Sequence, residues 1–349
     1  MDTIGQITAA GLAALTAEAR DYLEGGAGDE WTLRRNTAAF GEWTFRPRLL
    51  TGAATPDLRT TFLGVELDFP VLTGPVGADR LFHPDGQLAV ARACAKAGIA
   101  AMAPEASSFA LETLRGEAPE AVVFGQLHPV GSDADFLRMV ERYERAGYRA
   151  LVVTGDCPTA GWRERNLRNR YTPPAGVVGG NYPGEPDPFG RLFGNNQAWT
   201  WDRLGRLLAR TELPWLAKGV LSAEDAHRAL DAGAAAIGVS NHGGRQLDGT
   251  PAALDALPEV RAAVGAATPI AFDSGIRRGA DVVKALALGA DVVVLGRAAV
   301  YGLAADGEDG VAAVLRLLRD ETRNILTQLG RGSVRDLDPT ALRPLGATP

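Results

Sequence analysis

From Pro70 onward the hydrophobic and polar positions repeat one unit: a short apolar run, a polar turn marked by glycine or proline, then a stretch with apolar residues at helical spacing. The apolar runs end at Thr73, Ala103, Leu127, Thr154, Ala217, Val239, Phe272 and Leu295. Stretches such as Gly86 to Ala97, Asp133 to Ala146, Ala223 to Ala232 and Gly279 to Leu288 separate them and carry helical periodicity. Eight strands alternating with helices predict an α/β fold, a parallel (β/α)8 TIM barrel. The units share architecture without sequence identity.

Before Pro70 the pattern changes. Ala9 to Leu23 has helical spacing, and Asp29 is placed to cap a second helix through Trp31, Leu33 and Phe40. Gly25 to Gly28 marks a turn between them, and Thr60 to Phe69 alternates around Gly64 as a short hairpin. Residues 1–69 therefore read as an N-terminal helical extension of a single domain spanning residues 1–349. The connection from Pro158 to Thr200 holds Pro173-Pro174, Gly179-Gly180, Gly184, Pro186 and Pro188, and reads as a long lid loop after the fourth strand. Its Trp162, Tyr171, Tyr182, Phe189 and Phe193 either line a pocket for a large substrate or pack the lid onto the barrel.

Composition narrows the function. A formal net charge of -6, a pI near 5.4 and dispersed arginines argue against a nucleic-acid or anionic-membrane partner and leave a small molecule. With only Cys94 and Cys157, no signal-like start and no apolar run long enough for a bilayer, a cytoplasmic protein is expected.

In a barrel, residues just after the strands gather on the carboxyl-end face, where such folds place their chemistry. Here these are Asp79, Arg80, Glu105, Gln126, His128, Thr154, Asp156, Lys218, His242, Arg245, Asp273, Arg277 and Arg297. His83 also lies just past a turn, whereas His227 falls within a helix and reads as a surface residue. The run Ser240-Asn241-His242-Gly243-Gly244-Arg245-Gln246-Leu247-Asp248-Gly249 delivers an imidazole and a guanidinium on one loosened turn. A base and a two-pronged carboxylate grip suggest proton abstraction from an anchored acid. Ser274 to Gly279 leads into a helix, and Gly296-Arg297 follows the last strand. Arginines, exposed N–H groups and a helix N-terminus at two adjacent turns favour a phosphate-bearing ligand over solvated loops. Tyr22 by itself reads as a core aromatic.

These motifs resemble the FMN-dependent 2-hydroxy acid oxidase and dehydrogenase family, which includes glycolate and lactate oxidases and mandelate dehydrogenases. The likeness is carried by Ser240 to Gly249, Lys218-Gly219-Val220, Asp273 to Gly279 and Gly296-Arg297, and extends from Tyr22 to Ala27 and Phe45 to Arg48 through nearly the whole chain. It implies FMN as cofactor and oxidation of the α-carbon of a 2-hydroxy acid to a 2-oxo acid. His242 matches the base and Asp156 the carboxylate that orients it. Arg163 and Arg245 match the substrate-carboxylate pair, and Tyr22 matches a tyrosine that assists them, which reverses its reading as core. Lys218, Gln126 and Thr154 match contacts to the pyrimidine edge of the flavin, with Ser240 beside them; Asp273, Gly275, Arg277, Gly296 and Arg297 match ribityl and phosphate contacts. The resemblance also implies a homo-oligomer, and an electron acceptor that is oxygen, a quinone or a protein.

The departures bear on substrate. Where hydroxy acid oxidases typically place tyrosine after Gln-Leu, this chain has His128, and the second turn reads Ala103-Pro104-Glu105 in place of a hydroxyl residue. Glu105 is expected near the substrate, pairing with an arginine, meeting His128, binding a cationic group, or else turning to solvent. Three readings follow: a 2-hydroxy acid enzyme, the same chemistry redirected to an amino acid-like or larger natural-product acid, and a non-catalytic flavin- or phosphate-binding barrel.

Overall fold

The computed structural model describes residues 1–53, 55–194 and 199–346. Eight parallel strands close into one barrel: β1 (Val71–Thr73), β2 (Ala101–Ala103), β3 (Val123–Leu127), β4 (Ala150–Thr154), β5 (Trp215–Val220), β6 (Ala236–Val239), β7 (Ile270–Phe272) and β8 (Val292–Leu295). β8 pairs with β1, so the barrel has no free edge. The strands are apolar on both faces because the barrel interior covers one and the helices cover the other. Each strand except β5 ends where its apolar run stops. β5 continues through Lys218 and Gly219, with a bulge between Lys218 and Val220. At Gly219 φ is 106°, and a Cβ there would lie 2.6 Å from Cβ of Asp156. Glycine thus lets Asp156 pack against the bulge that presents Lys218.

Leu72, Met102, Phe124, Val152, Leu216 and Val292 form one inner cluster with Phe62, Val65 and Leu67 of the expected hairpin. The hairpin therefore plugs the barrel end away from the strand carboxyl termini, and its three buried side chains contribute about 1.5–3 kcal/mol each as an upper bound.

The N-terminal segment differs from the sequence expectation. Its first helical stretch is two helices, Ile4–Ala14 and Ala17–Glu24, because the Thr16 hydroxyl accepts the Ala19 N–H at 3.2 Å and restarts the helix. The helix Trp31–Ala38 is not capped by Asp29. Asp248 reaches across to accept the N–H groups of Trp31 at 3.2 Å and Thr32 at 2.8 Å. The segment packs tightly on the rest of the domain: helix Ile4–Ala14 approaches helix Arg297–Gln328 so closely that a Cβ on Gly11 would sit 2.3 Å from the Tyr301 carbonyl oxygen. Strand Trp43–Phe45 pairs with Leu342–Pro344, joining the two ends of the chain.

The lid is not structureless. It contains the short helices Glu164–Asn169, Ala175–Val178 and Pro188–Phe193, while its residues 195–198 lie outside the described residues. Among the described residues, no helix is long and apolar enough to cross a membrane.

Candidate active site

At the carboxyl ends of the strands opens a chamber of about 1180 Å³, counting space shared with solvent. Tyr22, Gln126, His128, Thr154, Arg163, Lys218, His242, Arg245, Asp273, Gly275, Arg277, Gly296 and Arg297 all line it. Asp156, Ser240 and Glu105 stand behind this wall.

His242 sits on a turn of three successive left-handed residues: φ is 57° at His242, 64° at Gly243 and 74° at Gly244. Such a conformation strains a histidine and has to be held from outside. The Ser240 and Ser274 hydroxyls accept the N–H groups of His242 and Gly243, each at 3.0 Å. Asn241 exchanges two 2.8 Å amide hydrogen bonds with buried Asn36, and a Cβ on Gly244 would meet the Leu33 nitrogen at 2.5 Å.

The ring Nδ1 of His242 lies 3.2 Å from Asp156 Oδ1. Burial is the largest influence on the imidazole and lowers its pKa to about 4; Asp156 draws it back up, while Lys218 pushes it down. The ring is therefore neutral near pH 7 and free to take a proton. Burial alone would raise the Asp156 carboxyl, but Lys218 and His242 hold it well below the usual carboxylate range. Burial would likewise lower Lys218, yet Asp156 and Asp273 hold it above its ordinary value. Ser240 joins these groups: its hydroxyl accepts Lys218 Nζ at 3.0 Å and donates to Asp273 Oδ1 at 2.7 Å.

Four guanidinium groups face the chamber, and none of Arg163, Arg245, Arg277 and Arg297 makes an ion pair with a carboxylate among the described residues. Carbonyls at the end of helix Ala17–Glu24 steady two of them. Arg245 donates to Tyr22 O at 2.7 Å and Gly25 O at 2.8 Å, and Arg297 to Leu23 O at 2.9 Å. A helix C-terminus leaves these acceptors open and carries partial negative charge. Burial, together with Arg163 and Arg297, depresses Arg245 far below its ordinary value, and burial with Arg277 lowers Arg297 to about 10. Cations that repel one another without carboxylate partners fit a site completed by anions.

The phosphate expectation needs one correction. Helix Gly279–Ala287 has no free start, since Asp281 accepts the N–H groups of Arg277 and Arg278 and Glu321 accepts that of Gly279. Helix Arg297–Gln328 begins without a side-chain cap and faces the chamber through Gly296 and Arg297. Gly275, with φ 108°, is glycine because a Cβ would lie 2.3 Å from the Asn36 carbonyl oxygen. A phosphate-bearing cofactor fits Arg277, Arg297 and this uncapped turn.

Of the alternatives for Glu105, the structure shows the one in which it meets His128: it is 1% exposed, does not line the chamber and lies 2.9 Å from His128 Nδ1. Asp79 is buried and accepts the N–H groups of Gln87 and Ser108, so it braces a loop, and Arg80 stacks on Phe109. Among the lid aromatics only Phe189 and Phe193 line the chamber; Tyr171 packs against Tyr22, Tyr182 bonds to Glu105 and Trp162 is exposed. Sequence reasoning passed over Cys157, whose sulfur is 3.4 Å from His242 Nδ1, although its place directly after Asp156 marked it. It also passed over Gln246, which bonds the Asp156 carbonyl at 3.0 Å and Arg163 at 3.2 Å.

Residues 12–344 match the FMN-dependent dehydrogenase family. The chain belongs to that family. It is 40% identical to an L-lactate oxidase of Nostoc sp. over 344 residues, covering 94% of each chain. It is 39% identical to glycolate oxidase 3 of Arabidopsis thaliana over 342 residues, covering 94% of this chain and 92% of the relative. A mandelate oxidase structure with (S)-2-phenylpropionate superposes with a TM-score of 0.91 at 37% identity over the full length of both chains. As a member of the FMN-dependent dehydrogenase family the protein is an oxidoreductase with FMN as its cofactor. The relatives favour 2-hydroxy acid oxidation over the amino acid-like reading and over a non-catalytic barrel.

Proposed function

We propose that this protein oxidises the α-carbon of a small 2-hydroxy acid to the 2-oxo acid, with His242 as the base. One observation carries the reading: a neutral, carboxylate-backed imidazole shares a chamber wall with Arg163 and Arg245, two guanidinium groups without acidic partners. These arginines clamp the substrate carboxylate in two-pronged fashion, assisted by Tyr22, whose ring lies 5.1 Å from the Arg245 guanidinium carbon. His242 then takes the substrate proton on Nε2, while Asp156 bonds Nδ1 and stabilises the imidazolium that forms. Arg277, Arg297, Gly296, Gly275 and Asp273 would hold the phosphate and ribityl chain of FMN, and Gln126, Thr154, Ser240 and Lys218 its pyrimidine edge. When bound, FMN supplies the two-electron acceptor. Lys218 contributes a fixed positive charge at that edge. On the family likeness, the protein is further read as a homo-oligomer that passes electrons to oxygen or another acceptor, and on its cysteine usage and lack of a long apolar run as cytoplasmic.

Anaerobic mixing of the yellow holoenzyme with a panel of 2-hydroxy acids tests this. Bleaching by at least one member is expected. His242→Ala should keep its flavin and lose bleaching, and normal reduction in that variant would remove His242 as the base.

A further inference from the structure

Glu105 and His128 take no part in the chemistry above, yet they make a second carboxylate and imidazole pair at the same chamber. Their side chains are 2% and 5% exposed. One oxygen of Glu105 accepts the backbone N–H of His128 at 2.7 Å and meets ring Nδ1 at 2.9 Å; the other accepts the Tyr182 hydroxyl. A carboxylate only accepts, so Nδ1 carries the proton. Gln126 Oε1 accepts the Glu105 N–H at 3.2 Å, and the Gln126 amide nitrogen lies 3.3 Å from both Nδ1 and Nε2 of His128, so Glu105 alone sets the tautomer. In the neutral ring Nε2 is therefore a lone-pair acceptor. The ring forms part of the chamber wall beside Pro104, Phe189 and Phe193, with Phe193 edge-on at 5.2 Å.

We propose that His128, fixed in this tautomer by Glu105, accepts a hydrogen bond from the substrate, so that the preferred substrate is a 2-hydroxy acid whose substituent bears a hydroxyl or another donor. The inference rests on the 2-hydroxy acid reading above. The neighbouring walls are apolar, so a plain hydrocarbon substituent strips water from Nε2 and returns only the long contact to Gln126. A substituent with a donor replaces what it displaces. The tyrosine that the family typically places here both donates and accepts through its hydroxyl, whereas Nε2 in this tautomer only accepts. Both oxygens of Glu105 are engaged, so Glu105 acts through His128 as a positioning residue and does not itself meet a cationic group.

The test uses matched acids differing by one hydroxyl: mandelate against 4-hydroxymandelate, 3-phenyllactate against 3-(4-hydroxyphenyl)lactate, and 2-hydroxybutyrate against 2,4-dihydroxybutyrate. The holoenzyme is reduced anaerobically in a stopped-flow instrument, and binding of the corresponding 2-oxo acids is followed as a shift of the flavin spectrum, without turnover. Wild type should favour the hydroxylated member of at least one pair by about tenfold in both readouts, the worth of one hydrogen bond. His128→Phe should bring that ratio to about one while still reducing with the plain acid. Glu105→Gln can donate to Nδ1 and release the ring proton to Nε2, so the preference should collapse although His128 remains. A wild-type ratio of one or less in every pair, or a ratio unchanged in His128→Phe, overturns the inference while leaving the reaction class intact. Absence of bleaching by all the acids overturns the reaction class and this inference with it.

Discussion

Asp156→Asn tests the catalytic pair most directly, because asparagine keeps the shape and removes the charge. Oδ1 of Asp156 lies 3.2 Å from His242 Nδ1, and at an effective dielectric constant of about 20 a unit pair at that separation interacts by about 5 kcal/mol. Asparagine retains a neutral hydrogen bond of about 1 kcal/mol, and the His242 side chain is 27% exposed, so solvent screening removes a further part. About 3–4 kcal/mol remains. The imidazolium exists only after proton transfer, so this loss falls on the barrier and slows flavin reduction by about 10²–10³-fold. The freed Lys218 charge acts in the same direction. Substrate affinity should change little, since Arg163 and Arg245 are untouched. Anaerobic stopped-flow reduction over a range of substrate concentrations separates the limiting rate from Kd. A limiting rate within about fivefold of wild type, or a loss confined to Kd, refutes the pairing.

Other consequences are open to measurement. His242 lies at about 4 in the folded protein against about 6.5 unfolded, so its contribution to stability is full above pH ~6.5 and is lost as pH falls towards 4. Asp156, held low, adds a loss of the same sign at still lower pH. The apoprotein should lose roughly 2 kcal/mol across that window by chemical denaturation, and an undiminished pH slope in His242→Asn would count against the buried neutral ring. Arg297→Ala should weaken FMN binding by about 10–100-fold in fluorescence titrations of the apoprotein, and unchanged affinity would move the phosphate elsewhere. Asp248→Ala removes the acceptor for two N–H groups of helix Trp31–Ala38 and should cost about 1 kcal/mol, with faster amide exchange at Trp31 and Thr32; unchanged exchange would show the cap to be idle.

The barrel was readable because parallel strands buried on both faces leave apolar runs whose ends coincide with the strand ends. β5 was cut short for the same reason: Lys218 and Gly219 interrupt the run while the backbone continues through a bulge. The chamber residues were readable because they follow strands; Asp79 and Glu105 follow strands too, but strand position does not report that their carboxylates turn into hydrogen bonds with Gln87 and His128. The helix break at Thr16 carried a local signal, a threonine followed by helix formers. The cap from Asp248 carried none, because nothing near Trp31 reports an acceptor more than two hundred residues away in sequence.

That distant cap bears on the catalytic turn. A histidine in the left-handed region is strained by about 1–3 kcal/mol, which its surroundings have to offset. They do so through Ser274 inside the barrel and through Asn36 and Leu33 outside it. Asn36 and Leu33 belong to the helix that Asp248 caps, and Asp248 belongs to the same ten-residue run as His242. The run therefore holds in place the helix that holds the run. The preceding helix, Ala17–Glu24, ends on the carbonyls that steady Arg245 and Arg297. Removing the N-terminal segment would take away Tyr22, leave the other chemical groups of the site present, and release the base, Arg245 and Arg297 from their aim. This is why the reaction class could be read from a short motif, whereas the rigidity that makes the motif work resides in residues far from it in sequence.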